Sequence, residues 1–263
     1  MPLTLRQTTR NIIQLVEDKS GIPVRVTQDP KLPTMAAVHM ARKGGSPVHL
    51  VLYKPFPGQS PDYQICFECT YILRLFSNPP EKRFDIASTE QARKEVEEMM
   101  NAPDGVGAKY GLKKSQIGEL RDQFLNGLIT HLRSIPVGLR ASEWLATNYP
   151  ELETLEKEHV HKEIEINRQS MKKEIEEITP PKIFKTAQTI TAAYMLYWSE
   201  FFNQPELFNP YILRGFEKDA RSLLDIYHQT SDQPIHDQEL INAWGEHLGL
   251  TNWYTWILYQ SPE

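Results

Sequence analysis

The segment 60–80, SPDYQICFECTYILRLFSNPP, places the strongest constraint on the fold of this chain. Proline is tolerated in the first turn of a helix but not in its interior, so Pro61 favours a helix start and the pair Pro79 and Pro80 favours its end. Between these ends, apolar residues cover most of the helical circumference: Ile65, Cys66, Phe67, Cys69, Ile72, Leu73, Leu75 and Phe76. A helix that is apolar nearly all round is a buried one. The sequence therefore predicts a central helix with other elements packed around it.

The residues before this helix predict one helix and three short strands. The apolar spacing over residues 5–20, followed by Gly21, is typical of an amphipathic helix that ends at a glycine. The segment IPVRV predicts a strand. The segments TMAAVHMAR and VHLVLY predict two more strands, joined by a glycine turn at KGGSP. We therefore expect a small sheet beside the buried helix.

The residues after the buried helix predict helices. The segment STEQARKEVEEMMNAP reads as an N-capped helix, and the loop DGVGAKYGLKK reads as a domain boundary. From Ser115 onward we expect helices only. The sequence thus predicts two domains, an α+β domain over residues 1–104 and an α-helical bundle over residues 112–263.

Composition and charge narrow the function classes without pointing to an activity. A net charge of −5 argues against a protein that coats nucleic acid. No apolar run is long enough to cross a bilayer, and the polar N-terminal sequence does not resemble a signal peptide. Two cysteines in 263 residues are too few for a secreted disulfide scaffold. We expect a cytoplasmic protein with no membrane partner, and homo-oligomer formation stays open.

The two cysteines are spaced C-x-x-C within the buried helix. A reactive pair of this kind sits at a helix N-terminus, where backbone donors lower the thiol pKa. Here Cys66 lies in the second turn and Cys69 lies deeper, among apolar neighbours. The spacing therefore favours two small core residues over a redox pair.

A zinc site is the alternative for this pair. Two thiolates need two further ligands, and His39 and His49 are the nearest histidines in the sequence. If the turn pairs Arg42 with Ser46, these histidines lie directly opposite each other on one face of the sheet. If the loop is one residue shorter, they point to opposite faces. The four ligands of this alternative site would be Cys66, Cys69, His39 and His49.

The order of helix, small sheet and buried helix resembles the ImmA/IrrE-type metallopeptidase domain, a minimal zincin. The resemblance runs through LVEDKSGIPVRV, TMAAVHMARKGGSPVHLVLYKP and YQICFECTYILRLF, and covers about residues 8–103. That family carries H-E-x-x-H on its buried helix, where this chain has Phe67-Glu68-Cys69-Thr70-Tyr71. The resemblance places Glu68 at the general base and places Phe67 and Tyr71 where the family has zinc-binding histidines. It also places Glu90 near the third zinc ligand.

The replaced histidines imply that this chain does not share the family's hydrolysis. Phenylalanine has no lone pair to offer, and without a metal Glu68 has no bound water to deprotonate. The resemblance implies a catalytically inactive, prokaryotic peptidase-like protein without a cofactor, which binds a protein or peptide in a regulatory, stress-response or phage-defence setting. The residues expected to line its pocket are Glu68, Tyr71 and Glu90.

Two other classes of function remain. One is an enzyme or zinc protein that uses Cys66, Cys69 and Glu68 with the hairpin histidines. The other is a structural or oligomer-forming protein whose helical half carries the function. In that half, His159 and Glu163 stand four residues apart, a spacing that suits either a metal or a solvated helix face.

Overall fold

The computed structural model describes residues 4–262 and shows a mixed α+β chain that is mainly helical. The helices are α1 Gln7–Ser20, α2 Asp62–Phe76, α3 Glu90–Asn101, α4 Val106–Lys109, α5 Lys114–Asn148, α6 Glu153–Gln169, α7 Lys173–Ile178, α8 Pro181–Phe201, α9 Asn209–Leu213, α10 Glu217–Gln229 and α11 Asp237–His247. The strands are β1 Val24–Gln28, β2 Ala36–His39, β3 His49–Tyr53, β4 Phe84–Ser88 and β5 Tyr254–Leu258.

Packing divides the chain into two compact units. The described residues of the first unit are 4–84, 137–163 and 258–262, and those of the second are 85–136 and 164–257. Each unit therefore depends on contacts between segments that are distant in sequence. The division into domains over residues 1–104 and 112–263 stays a prediction.

The sheet of the first unit has the order β1-β3-β2. Strand β1 runs parallel to the central strand β3, and β2 runs antiparallel to it. Along β3 the burial alternates, so that Val51 and Tyr53 face the core. The predicted helix and three strands of this region are confirmed, although their ends shift by a few residues.

Helix α2 is the centre of the first unit, as the sequence predicts. Twelve of its fifteen residues are buried. Helix α1 packs against it through Ile12 and Val16, which are fully buried in the same core. Gly21 ends α1 with φ +72° and donates its N–H to the carbonyl of Glu17, as a glycine C-cap should.

The second unit is built around α8, of which most residues are buried, and it also contains a two-stranded sheet of β4 and β5. Our expectation of helices only after Ser115 is therefore wrong, because Tyr254–Leu258 is a strand. Its pairing partner lies far earlier in the chain, so the local sequence carries no pairing signal. Pro136 lies inside α5, so this proline does not end the helix.

The packing of α1 on α2 makes a prediction about stability. Ile12→Ala should lower the free energy of unfolding by about 2–5 kcal/mol, because Ile12 is completely buried and its loss leaves a cavity. Leu15→Ala is the matched control on the same helix, since Leu15 is 39% exposed. Urea denaturation of both variants measures the difference. Equal losses would contradict this packing of α1.

Candidate functional site

The cysteines of α2 are buried core residues. Both are free thiols with no exposed surface, and the Cys66 thiol donates to Thr9 Oγ1 at 3.6 Å. Burial raises the pKa of Cys66 to about 12 and raises that of Cys69 well above its ordinary value. Because the thiolate is the nucleophile and the metal ligand, the raised pKa values disfavour redox and metal chemistry at both residues.

The hairpin does not place its two histidines on one face. Arg42 donates its backbone N–H to the carbonyl of Ser46 at 3.1 Å, as one of the two turns considered requires. In the ladder, however, His39 lies opposite Leu50, one residue away from His49. The pairing of β2 with β3 is therefore shifted by one residue relative to the turn, and one extra residue between the turn and the paired strands, as in a β-bulge, accounts for this shift. Direct pairing of the two histidines is therefore wrong, and His39 is exposed whereas His49 is buried.

The contacts of His49 are those of a side chain packed in the protein interior. Its Nδ1 accepts the backbone N–H of Ala41 at 3.1 Å, and its ring meets that of Phe76 edge-on at 5.3 Å. Burial lowers the pKa of His49 to about 4. Within residues 4–262, no three side chains of the His, Cys, Asp and Glu types form a group that could hold a metal ion.

Phe67 and Tyr71 of α2 occupy the two positions at which the resembled family has zinc-binding histidines. The rings of Phe67 and Tyr71 meet edge-on at 5.4 Å. Gly138 of α5 lies against both, and a Cβ there would be 2.6 Å from Tyr71 Oη and 3.2 Å from Phe67 Cζ. Only glycine lets the two helices approach so closely without a shift. Aromatic packing therefore fills this face.

The three residues expected to line a pocket are not all in the first unit. Glu68 lies in α2 with 9% of its surface exposed, and Tyr71 is half-buried one turn later. Glu90 belongs to the second unit, where it begins α3 with a side chain that is 70% exposed and 3.5 Å from Arg93. The first unit therefore lacks the third residue of the predicted pocket.

A buried polar cluster was missed by sequence reasoning. Tyr63 of α2 donates its hydroxyl to Glu156 Oε1 at 2.9 Å and lies 3.0 Å from Ser142 Oγ. Burial raises the pKa of Glu156 to about 7, against the opposing effect of the Tyr63 hydrogen bond. These partners are 79 and 93 residues from Tyr63 in sequence, so no local pattern could have predicted the cluster.

His159 adjoins both this cluster and the aromatic face. Its ring lies 5.1 Å from that of Tyr63 and 5.9 Å from that of Phe67. Both ring nitrogens are buried without a hydrogen bond in the described chain, and Nε2 is 3.6 Å from a carboxylate oxygen of Glu163. The spacing of His159 and Glu163 was the one sequence signal for this position.

A cleft of about 160 Å³ opens beside the start of α2. Its lining residues are Gln28, Tyr53, Lys54, Pro55, Phe56, Gln59, Ser60, Pro61 and Gln64. Gln64 is 4% exposed, and its Oε1 is buried without a hydrogen-bond partner in residues 4–262. No local sequence pattern indicates this cleft, because loop residues and strand ends form most of it.

The comparisons with known proteins give no match: no family model, no curated protein and no solved structure matches this chain. What the structure shows is a mixed α+β fold that is mainly helical, and the zincin resemblance stays a hypothesis. Across residues 4–262, no helix has both the length and the apolar character that a bilayer span requires.

The buried carboxyl of Glu156 predicts a pH-dependent effect. Between pH 4.5 and about 7, this carboxyl is mostly protonated in the folded protein, whereas it is mostly ionised in the unfolded chain. Its stabilising contribution is complete below that value and is lost as the pH rises through about 7.

Glu156→Gln keeps a neutral side chain at every pH. The free energy of unfolding of this variant, relative to wild type, should therefore rise by about 2 kcal/mol between about pH 5 and about pH 8, since one pKa unit corresponds to about 1.4 kcal/mol. Urea denaturation at both pH values measures this change. Glu153→Gln, at an exposed position of the same helix, is the control and should not show the rise. A pH-independent difference for Glu156→Gln would contradict the raised pKa.

Proposed function

We propose that this chain is a non-hydrolytic, zincin-like binding module that recognises a protein or peptide in a prokaryotic regulatory, stress-response or defence setting. One observation supports this function best. Helix α2 has aromatic side chains at the two positions of the family's zinc ligands, and one turn earlier Gln64 lines a cleft together with Lys54 and Phe56.

The absence of hydrolysis follows from the side chains of α2. Metal-assisted hydrolysis needs about three protein ligands and an open coordination position for water. Phe67 offers no lone pair, and a neutral tyrosine such as Tyr71 is a poor zinc ligand. The ring of His159 lies beside that of Phe67, and one histidine does not hold zinc by itself. Glu68 then has no metal-bound water from which to take a proton.

The binding function follows from the cleft. The cleft combines the rings of Phe56 and Pro61 with polar side chains, a mixture typical of ligand sites. Lys54 lines it, and its ammonium group, which donates to the carbonyl of Leu32 at 3.0 Å, has two further N–H donors. A peptide backbone carries carbonyl acceptors at regular spacing, which makes a peptide a suitable partner for this site.

The zincin-like arrangement can be tested by restoring the histidines. The variant Phe67→His/Tyr71→His should bind about one zinc per chain, because histidines at i and i+4 share a helical face and His159 lies beside the first of them. Wild type should bind none under the same conditions. Elemental analysis after gel filtration without chelator measures the zinc content.

The control for this variant adds His159→Ala, which should remove the gained zinc. Circular dichroism establishes that each variant is folded. A folded double variant that binds no zinc would reject the zincin-like placement of Phe67 and Tyr71. Zinc bound tightly by wild type would reject the non-hydrolytic assignment.

Peptide binding can be tested on arrays of synthetic peptides. One array attaches the peptides through their N-termini and the other through their C-termini, so that free ends of both kinds are presented. We expect selected sequences to bind the folded chain and, in solution with added zinc, to remain intact by mass spectrometry. Cleavage of these peptides would contradict the proposal, as would the failure of both arrays to yield a binder.

A further inference from the structure

We propose that the outer edge of strand β5 binds an extended, uncharged segment of a partner protein as an added β-strand. This inference goes beyond the proposed function, which concerns the cleft of the first unit. It is supported by the backbone groups of β5 that point away from β4, by the residues of the strand and by the chain beside its end.

Backbone hydrogen bonds fix how β5 pairs with β4. Thr89 donates its N–H to the carbonyl of Trp253 at 3.0 Å, and Tyr259 donates its N–H to the carbonyl of Arg83 at 2.8 Å. These bonds join opposite ends of the two strands, so β4 and β5 are antiparallel. In an antiparallel ladder, residues that bond the partner strand alternate with residues whose N–H and C=O point away from it. The even-numbered residues of β5 therefore point these groups away from β4.

The outward groups of β5 have no partner strand. Within residues 4–262, β5 pairs with β4 only, and the outward N–H and C=O of Trp256 and Leu258 make no backbone hydrogen bond. Tyr254 points the same way but is buried, whereas Ile257 is 51% and Leu258 is 48% exposed. The open edge of β5 is therefore residues 256–258. A row of unpaired N–H and C=O groups is a template for another strand.

The outer edge of β4, by contrast, carries a charged side chain. The N–H of Ile86 points away from β5, as the alternation requires, and donates to Asp85 Oδ1 at 2.9 Å. The same oxygen lies 2.7 Å from the Arg133 guanidinium. Charged side chains and prolines are devices that protect sheet edges from strand addition. Strand β5 has neither, since its sequence is YTWIL.

The side chains of β5 indicate the character of the added segment. Trp256 lies on the face of α11, where its indole N–H donates to Asn242 Oδ1 at 2.9 Å. Ile257 points to the opposite face, because successive side chains of a strand alternate. Cross-strand pairs of β-branched and aromatic residues stabilise a sheet. The favoured partner is therefore an extended segment of uncharged residues that are β-branched or aromatic.

The chain beside the end of β5 favours a short segment over a second copy of this protein. Lys43, between β2 and β3, donates its backbone N–H to the carbonyl of Gln260 at 3.0 Å, two residues beyond Leu258. Gln260 belongs to the same outward set, so this turn occupies the edge there. A second β5 in antiparallel pairing would continue towards the turn through the residues that precede its Tyr254. A short segment ends before it.

Amide hydrogen exchange of the full ¹⁵N-labelled chain tests whether the edge is open. The amides of Trp256 and Leu258 should exchange at least about tenfold faster than those of Thr255 and Ile257, because only the latter two point towards β4. Equally slow exchange of all four amides in dilute solution would mean that the edge is already covered, and would overturn the inference.

The probe for strand addition is the pentapeptide acetyl-Thr-Val-Thr-Val-Thr-amide. Its control is the same peptide with every backbone nitrogen methylated, which keeps the side chains and removes the N–H donors. Both are titrated into the labelled chain up to about 5 mM, a range in which weak affinity is measurable. The first peptide should shift the amide signals of Trp256 and Leu258 and slow their exchange. The methylated peptide should bind at least about tenfold more weakly, because main-chain hydrogen bonds supply the affinity in strand addition.

Two variants of one residue locate the site. Leu258→Pro removes an outward N–H but no hydrogen bond to β4, and proline is tolerated at a sheet edge. It should weaken binding of the unmethylated peptide at least about tenfold. Leu258→Ala keeps the N–H and should stay within about threefold of wild type. Circular dichroism compares the folds of both variants, and if Leu258→Pro does not fold, the two peptides on wild type still decide the question.

Three further results would overturn this inference. Equal affinity for the two peptides would mean that the backbone is not recognised, and the absence of a shift with either would mean that the edge is no binding site. A hydrodynamic radius that grows with protein concentration, together with slowed exchange at Trp256, would mean that a second copy occupies the edge.

Discussion

The burial of α2 is the constraint on which the first unit depends. Because the helix is covered on nearly all sides, each polar group on it needs a partner from another element or from its own backbone. Asp62 finds donors in and next to α1, Tyr63 finds Glu156 and Ser142, and Thr70 bonds the carbonyl of Cys66. Gln64 Oε1 departs from this pattern, since it is buried without a hydrogen-bond partner among residues 4–262. The residue also lines the cleft beside the start of α2.

The aromatic face of α2 and the glycine opposite it act together. Phe67 and Tyr71 occupy the space that Gly138 leaves, so aromatic side chains pack against α5 at this face. In the zincin interpretation, replacement of the histidines is accompanied by close approach of α5, which stabilises the fold by packing. His159 remains beside Phe67 with its nitrogens buried. Binding without hydrolysis is consistent with all of these positions.

The same burial explains why the C-x-x-C spacing is a poor guide to chemistry here. A short motif gives the order of residues along a helix, whereas reactivity depends on exposure and on the charges nearby. Cys66 and Cys69 have no exposed surface, and burial raises the pKa of both. The hairpin shows a similar effect, since one extra residue separates His39 from His49 although the turn formed as one prediction required.

The sequence by itself determined the elements whose signals are local. Proline positions and all-round apolarity predicted α2, Gly21 predicted the end of α1, and short apolar segments, two of them joined by a glycine turn, predicted three strands. Only the tertiary structure decided the register of the hairpin, the pairing of β4 with β5, and the contact of Tyr63 with a carboxylate 93 residues away. The physical reason is that periodicity and capping act within one or two turns of chain, whereas pairing, burial of polar groups and the shape of a cleft depend on segments that meet only when the chain has folded.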